Sequence, residues 1–305
     1  MKSMIAKFLI GMVLLFIITA AKSFCTEYTF DYQKIIEITE PLELNLQTVD
    51  GNITILGSDD NRIIIEAVKT IRASNREEAE EVADHIEIKV IAKDNNVNIN
   101  TNYLRILSRS RSFWNKILGT GSSESFGKVD YRIWVPLKTS VSITSMKAII
   151  KLSSIEGEVK IDNSIGSAQC EYIFGAVTIS QPVGEIILQW IEGDIRVRSN
   201  SSRITIQQIR GAIDLVTLSS SVTIQTELDS PRNYFVETTS GSISFLIPTA
   251  SSGILDISTE TGEINTEVPV AVKSVSRNRL IGKFGEGGLS INLFSTTGDV
   301  NVNFY

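Results

Sequence analysis

The sequence predicts an all-β chain: a single-stranded-type β-solenoid of 18-residue coils, each made of two nine-residue strand-turn lines, with an N-terminal β-rich cap carrying one short helix. Three observations predict it. Small residues recur nine apart at Ala148, Gly157, Gly166, Gly175, Gly184, Gly193, Ser202, Gly211 and Ser220. An apolar residue stands two positions after each (Ile150, Val159, Ala168, Val177, Ile186, Ile195, Ile204, Ile213, Val222), and another two further on, from Leu152 and Ile161 through Cys170 to Ile224. Alternate side chains of a strand point to opposite faces, so each line reads as a turn feeding one short strand. The third observation doubles the period: Ile155, Ile173, Ile191 and Ile209 each stand two residues before a Gly, where the alternate lines have Ser164, Pro182, Asn200 and Leu218. Nine residues cannot bury an apolar pair alone, but units stacked about 4.8 Å apart close a continuous core between neighbours. A meander of antiparallel hairpins would also alternate, but it gives no reason for so strict a register.

At the N-terminus, Lys2 and Lys7 precede an apolar run from Phe8 to Ala21, and Ala21 and Ser23 offer small residues to a signal peptidase. Residues 1–23 therefore read as a secretory signal cut after Ser23, and the protein as exported to the periplasm or cell surface. An uncleaved anchor is the other outcome of such a segment, although a transmembrane helix needs about 20 apolar residues. Acylation of Cys25 is disfavoured by Lys22, Ser23 and Phe24 before it, which are not the small residues that lipoprotein processing requires.

Residues 24–128 form the expected cap, with strands at 41–46, 52–56, 62–71, 86–92 and 97–100 marked by β-branched alternation. A helix is expected over 75–86, opened by a capping box of Ser74 and Glu77 and burying Ala79, Val82, Ala83 and Ile86. His85, the single histidine, lies one helical turn after Glu81 with no cysteine cluster to join, and reads as a rim histidine beside a carboxylate. Over 104–128, Arg105, Arg109, Arg111 and Lys116 surround Phe113, Trp114, Ile117 and Leu118. This basic aromatic loop offers a membrane contact through anionic lipid, or a surface for stacking on sugars, or simply aromatics folded back on the cap. Its Gly119 and Gly121 match no phosphate-binding pattern.

Residues 129–305 form the expected repeat domain. Cys170 falls on an inward position and reads as a buried small hydrophobe. Past Ser220 the pattern loosens but persists at Gly241, Gly262 and Gly298, the last two separated by two full units, so the coils are expected to follow one another to the C-terminus. Val300, Val302 and Phe304 then read as the last strand, too short for an outer-membrane barrel strand of about 9 to 11 residues.

Two outward surfaces are candidates for interaction. One carries Glu158, Lys160, Asp162, Asp194, Arg196, Arg198 and Asp214, and the other a column of Gln189, Gln207 and Gln225 preceded by Ser153 and Glu171. Opposite charges on neighbouring rungs keep a sheet soluble, and stacked amides stabilise it; the same groups could also track a polysaccharide. A net charge of -6 disfavours nucleic acid, which needs a basic stripe. No nucleophile is paired with a histidine and no metal-ligand cluster stands out, so no catalytic, cofactor-binding or metal-binding residues are assigned and the chain is read as not an enzyme.

The repeated Gly-x-Ile/Val lines, Ile191-Glu192-Gly193, Thr259-Glu260-Thr261-Gly262, Val49-Asp50-Gly51-Asn52-Ile53 and Ile133-Trp134-Val135-Pro136 resemble the bacterial putative-adhesin family of β-strand repeats over 37–304. Departures are Ala148 and Ser220, where Gly is expected, and the basic insertion. The resemblance implies an envelope-associated, non-enzymatic β-solenoid and assigns no functional residues. The expected function is that of an adhesin or scaffold, binding an envelope glycan or protein through repetitive faces. The alternative is a carbohydrate-active β-helix enzyme acting on an acidic polysaccharide. A filament-forming scaffold is disfavoured because its ends would have to be bare.

Overall fold

The computed structural model describes residues 26–38, 41–103, 127–228 and 232–305. The expected signal segment, Cys25, and the basic loop with Arg109, Arg111 and Trp114 lie outside the described residues. The described chain is all-β with one helix, and its 23 strands belong to a single hydrogen-bonded network. Through the middle of the chain the pairing is parallel at intervals of eighteen residues. Val141, Val159, Val177, Ile195 and Ile213 are successive partners on one face, and Ile150, Ala168, Ile186, Ile204 and Val222 on the other. All ten of these side chains are buried, so the apolar positions of both faces form the core. Cys170 lies among them, between Leu152 and Leu188, as a free thiol.

The small residues are explained by how closely successive units approach. A Cβ on Gly193 would stand 2.2 Å from the carbonyl oxygen of Gly175, and one on Gly184 would stand 1.7 Å from that of Gly166 at a φ of +132°. Neither position has room for a larger residue without moving backbone.

One corner of the stack is polar inside, which the alternation did not foretell. Ser145, Asn163, Gln181, Ser199, Thr217, Thr238, Ser295 and Thr259 are all buried there. Several of these side chains donate to backbone carbonyls: Asn163 Nδ2 to that of Ala148 (3.1 Å), Gln181 Nε2 to that of Gly166 (3.3 Å), and Thr259 Oγ1 to that of Gly298 (3.0 Å). Buried carbonyls left unpaired would cost more than the side-chain entropy spent in satisfying them.

Three expectations are corrected. First, Ile155, Ile173 and Ile191 are buried as the doubled period requires, but Ile209 is 37% exposed and Gln208 is buried in its place. In the earlier units Ser154, Tyr172 and Trp190 take left-handed backbone conformations just before the inward Ile, with φ of 62°, 56° and 57°. The next unit makes no such turn, so Ile191 pairs with Gln208 and the side chains swap faces. Gln208 is tolerated inside because Nε2 donates to the carbonyls of Gly193 (2.8 Å) and Ala212 (3.3 Å), while Oε1 accepts from Thr226 Oγ1 (2.8 Å).

Second, the late units do not stack in chain order. Strand Ile243–Ile247 pairs with Val300–Phe304, and Val300–Phe304 in turn pairs with Ile264–Thr266. The last unit of the sequence thus lies between two that precede it. Beyond, Gly253–Thr259 pairs antiparallel with Arg279–Phe284, which pairs antiparallel with Ala271–Ser276.

Third, the helix runs over Arg76–Asp84, and its N-cap is Asn75 rather than Ser74. Asn75 Oδ1 accepts from the Glu78 N–H (2.9 Å), while Glu78 Oε2 accepts from the Ser74 N–H (3.1 Å), a reciprocal arrangement shifted by one residue. Asn caps as well as Ser, so spacing alone did not decide between them. Ala79, Val82 and Ala83 are buried as expected. His85 ends the helix, its Nδ1 2.5 Å from the backbone oxygen of Glu81.

Parallel pairing also reaches back before residue 129. Leu42–Gln47 and Asp50–Ser58 lie against 139–144 and 147–153, with Gly51 opposite Ala148. On their other side they pair with Asn96–Tyr103 and Gly127–Pro136. Antiparallel strands Arg62–Ala73 and Thr26–Glu37 follow at this end, the latter not foreseen from sequence.

Candidate functional site

The outward columns are where this architecture can meet a partner, because the interior is filled with side chains. Gln189, Gln207 and Gln225 are in register on successive units, continuing from Ser153 and Glu171. Gln189 Nε2 lies 3.5 Å from Gln207 Oε1, so the column has the expected geometry, with the amides half-buried.

Beside that column stands a feature the sequence reading missed. Tyr172 and Trp190, eighteen residues apart, stack with ring centroids 6.5 Å apart and planes 8° from parallel. They remain 48% and 49% exposed. Both occupy the left-handed bulges described above, where a bulky residue is uncommon. The available signal was the recurrence of an aromatic immediately before the inward Ile, in Tyr172-Ile173 and Trp190-Ile191. Next to Trp190 opens a groove of about 450 Å³ lined by Gln207, Gln208, Ile209, Gln225, Glu227 and Tyr305. Within this lining the Tyr305 hydroxyl donates to Glu227 Oε1 (3.0 Å). Burial, and then the hydrogen bond to this carboxylate and its charge, raise the Tyr305 phenol above its ordinary pKa.

The charged surface is on the other face, and its later rungs are paired internally. Arg196 Nε and Arg198 Nη2 both reach Asp214 Oδ2, at 3.2 and 2.7 Å. Asp194 is 3.4 Å from Arg232 and accepts from the Ala212 N–H at 2.9 Å. Hydrogen bonding from Arg198, opposed by partial burial and aided by the charge of Arg198 and by Arg196, holds Asp214 below the usual carboxylate pKa. Such a carboxylate is a weak base, and the two cations beside it are occupied. Among the described residues no group of three His, Cys, Asp or Glu side chains is placed to hold a metal ion. No described helix is long and apolar enough to cross a membrane.

No protein-family model matches the chain, and no curated protein does. It is similar to several solved structures. One is a putative cell adhesion protein from Clostridium sporogenes, 14% identical, with 91% of this chain and 100% of that one covered and a TM-score of 0.28. Another is a putative adhesin from Bacteroides fragilis, 12% identical, with 92% and 97% covered and a TM-score of 0.33. A third is described as a putative lipid binding protein from Parabacteroides distasonis, 14% identical, with 90% and 96% covered and a TM-score of 0.31. At this level the likeness says nothing about ligand or role.

Proposed function

We propose that the chain is a β-solenoid acting as a non-catalytic, exported envelope or surface protein, an adhesin or scaffold that binds an extended glycan or protein through its repeated faces. The observation that carries this is the eighteen-residue parallel register, which sets equivalent outward side chains in columns one strand spacing apart. Many weak contacts along such a column can sum to useful affinity without a deep pocket. The ion pairing of Asp214 with Arg196 and Arg198 supports a solubilising role for the charged face rather than acid-base work on an acidic glycan.

The test combines capture of envelope polysaccharides and secreted proteins by the purified protein with turnover assays on acidic glycans. Binding retained after replacing Asp194, Arg196 and Arg198 together, without turnover, is the expected result. Glycan cleavage that disappears in that variant would overturn the reading in favour of an enzyme.

A further inference from the structure

We propose that the groove between Trp190 and Tyr305 is a binding site for a neutral glycan chain, with the Trp190 indole as stacking platform and Gln207 and Gln225 as hydroxyl-binding groups. The inference rests on the glycan branch of the proposed function and locates it.

The first support is the platform itself. Trp190 is held at a φ of 57°, a conformation in which glycine is at ease and a bulky side chain is strained. The strained backbone turns the ring outward, where it stacks on Tyr172 and leaves half of its surface in water. A half-exposed indole offers a flat apolar surface on which another ring can stack.

The second support is the opening beside it. Tyr172 belongs to the unit before Trp190, whereas Gln207, Gln208, Gln225 and Glu227 belong to the two units after it, so the groove lies on the side of the indole away from Tyr172. It exists because the next unit lacks the bulged residue: Gln208, the residue eighteen positions on, is turned into the core. One face of the platform is therefore backed and the other is free.

The third support is the polar lining. Gln207 and Gln225 present amides one strand spacing apart, about 4.8 Å, each able to donate and accept. Glu227 and the Tyr305 hydroxyl, hydrogen-bonded to each other, also line the groove. A hexopyranose ring has an apolar face of C–H groups to lie on an indole and hydroxyls around its edge to meet amides. An apolar wall with a few placed polar groups is the usual composition of a small-molecule site. Glu227 is the one acidic side chain lining the groove, and no Lys or Arg accompanies it, which favours uncharged sugars over uronates.

The test uses the full mature chain titrated with four tetrasaccharides: β-1,4-linked glucose, α-1,4-linked glucose, β-1,4-linked N-acetylglucosamine and α-1,4-linked galacturonate. Calorimetry and tryptophan fluorescence give the readout. At least one neutral tetramer should bind and perturb the fluorescence. Trp190→Gly should weaken that binding tenfold or more while its thermal midpoint stays within a few degrees of the parent, because glycine relieves the left-handed backbone. The double variant Gln207→Ala, Gln225→Ala should also lose affinity, and Arg198→Ala, on the other face, should not. Neutral-tetramer binding that survives Trp190→Gly would overturn this site while leaving the glycan reading intact. Binding confined to galacturonate, or to none of the four, would overturn it as well; in the last case capture of an envelope protein would preserve the broader proposed function.

Discussion

Ile195 and Arg196 are consecutive and face opposite ways, so they separate burial from exposure within one strand. Ile195 is buried between Val177 and Ile213, whereas Arg196 reaches outward to Asp214. Ile195→Asp places a carboxylate in an apolar layer and should cost about 4 kcal/mol or more, lowering the denaturation midpoint sharply or preventing folding. Arg196→Ala should change stability by about 0.5 kcal/mol or less, since Arg198 still holds Asp214. Cys170 allows a second measurement. Burial pushes its thiol from 9.0 up to about 12, so the unfolded chain loses this proton at a lower pH than the folded one. Its neutral form is equally available to both states below pH 9, and the unfolded state gains as pH rises from there towards 12. The thermal midpoint should therefore fall over that range, and Cys170→Ala should flatten part of the fall relative to the parent. Tyr131, buried and raised to about 12, contributes to the remainder in the same direction.

Within a strand, the pair Gln208 and Ile209 reverses what hydrophobicity implies. The amide of Gln208 has three partners inside, while Ile209 faces the groove. Gln208→Ala should cost about 1 to 3 kcal/mol, because it removes three buried hydrogen bonds and takes the side-chain donor from the Gly193 carbonyl. Ile209→Ala should cost less than about 1 kcal/mol. Urea denaturation of both variants checks the order, and a larger loss at Ile209 would restore the uninterrupted register. The helix shows another local decision. It lacks a basic residue in its last turn, and Lys69, from the neighbouring strand, donates to the Ala83 carbonyl at 2.9 Å instead. Burial lowers the pKa of this lysine, against the pull of Asp84, so the interaction is made by a partly desolvated ammonium.

Across the whole molecule, both ends of the parallel stack are finished in the same way. A unit out of chain order is added, and antiparallel strands then cover it. A bare parallel edge would be a template for pairing with other chains, and antiparallel strands joined by short turns can end it. The order of units is testable by crosslinking. Ser244 lies opposite Asn301, and Asn265 lies opposite Asn301 on the far side. Ser244→Cys with Asn301→Cys should be joined by a short bifunctional thiol reagent. Ser244→Cys with Asn265→Cys should not, as those positions are two strand spacings apart, about 10 Å. Crosslinking of the second pair and not the first would restore stacking in chain order.

The nine-residue recurrence, with the Ile-x-Gly signal that doubles it, determined the alternation of buried and exposed residues, the eighteen-residue interval between partners, the glycines at close approach and the alignment of Gln189, Gln207 and Gln225. These are local consequences of a two-residue side-chain period repeated at constant spacing, and such a period is written directly in the chain. Only the tertiary structure decided that Gln208 displaces Ile209, that Asn75 caps the helix, that a polar column lines one corner, and that Val300–Phe304 lies between Ile243–Ile247 and Ile264–Thr266. It also brought Tyr172 onto Trp190 and opened the groove towards Tyr305. Each of these depends on a backbone turn or on a pairing between distant segments. Hydrophobic patterning cannot register them, because a one-residue bulge or an exchanged unit leaves the composition of every line unchanged while altering which side chains meet.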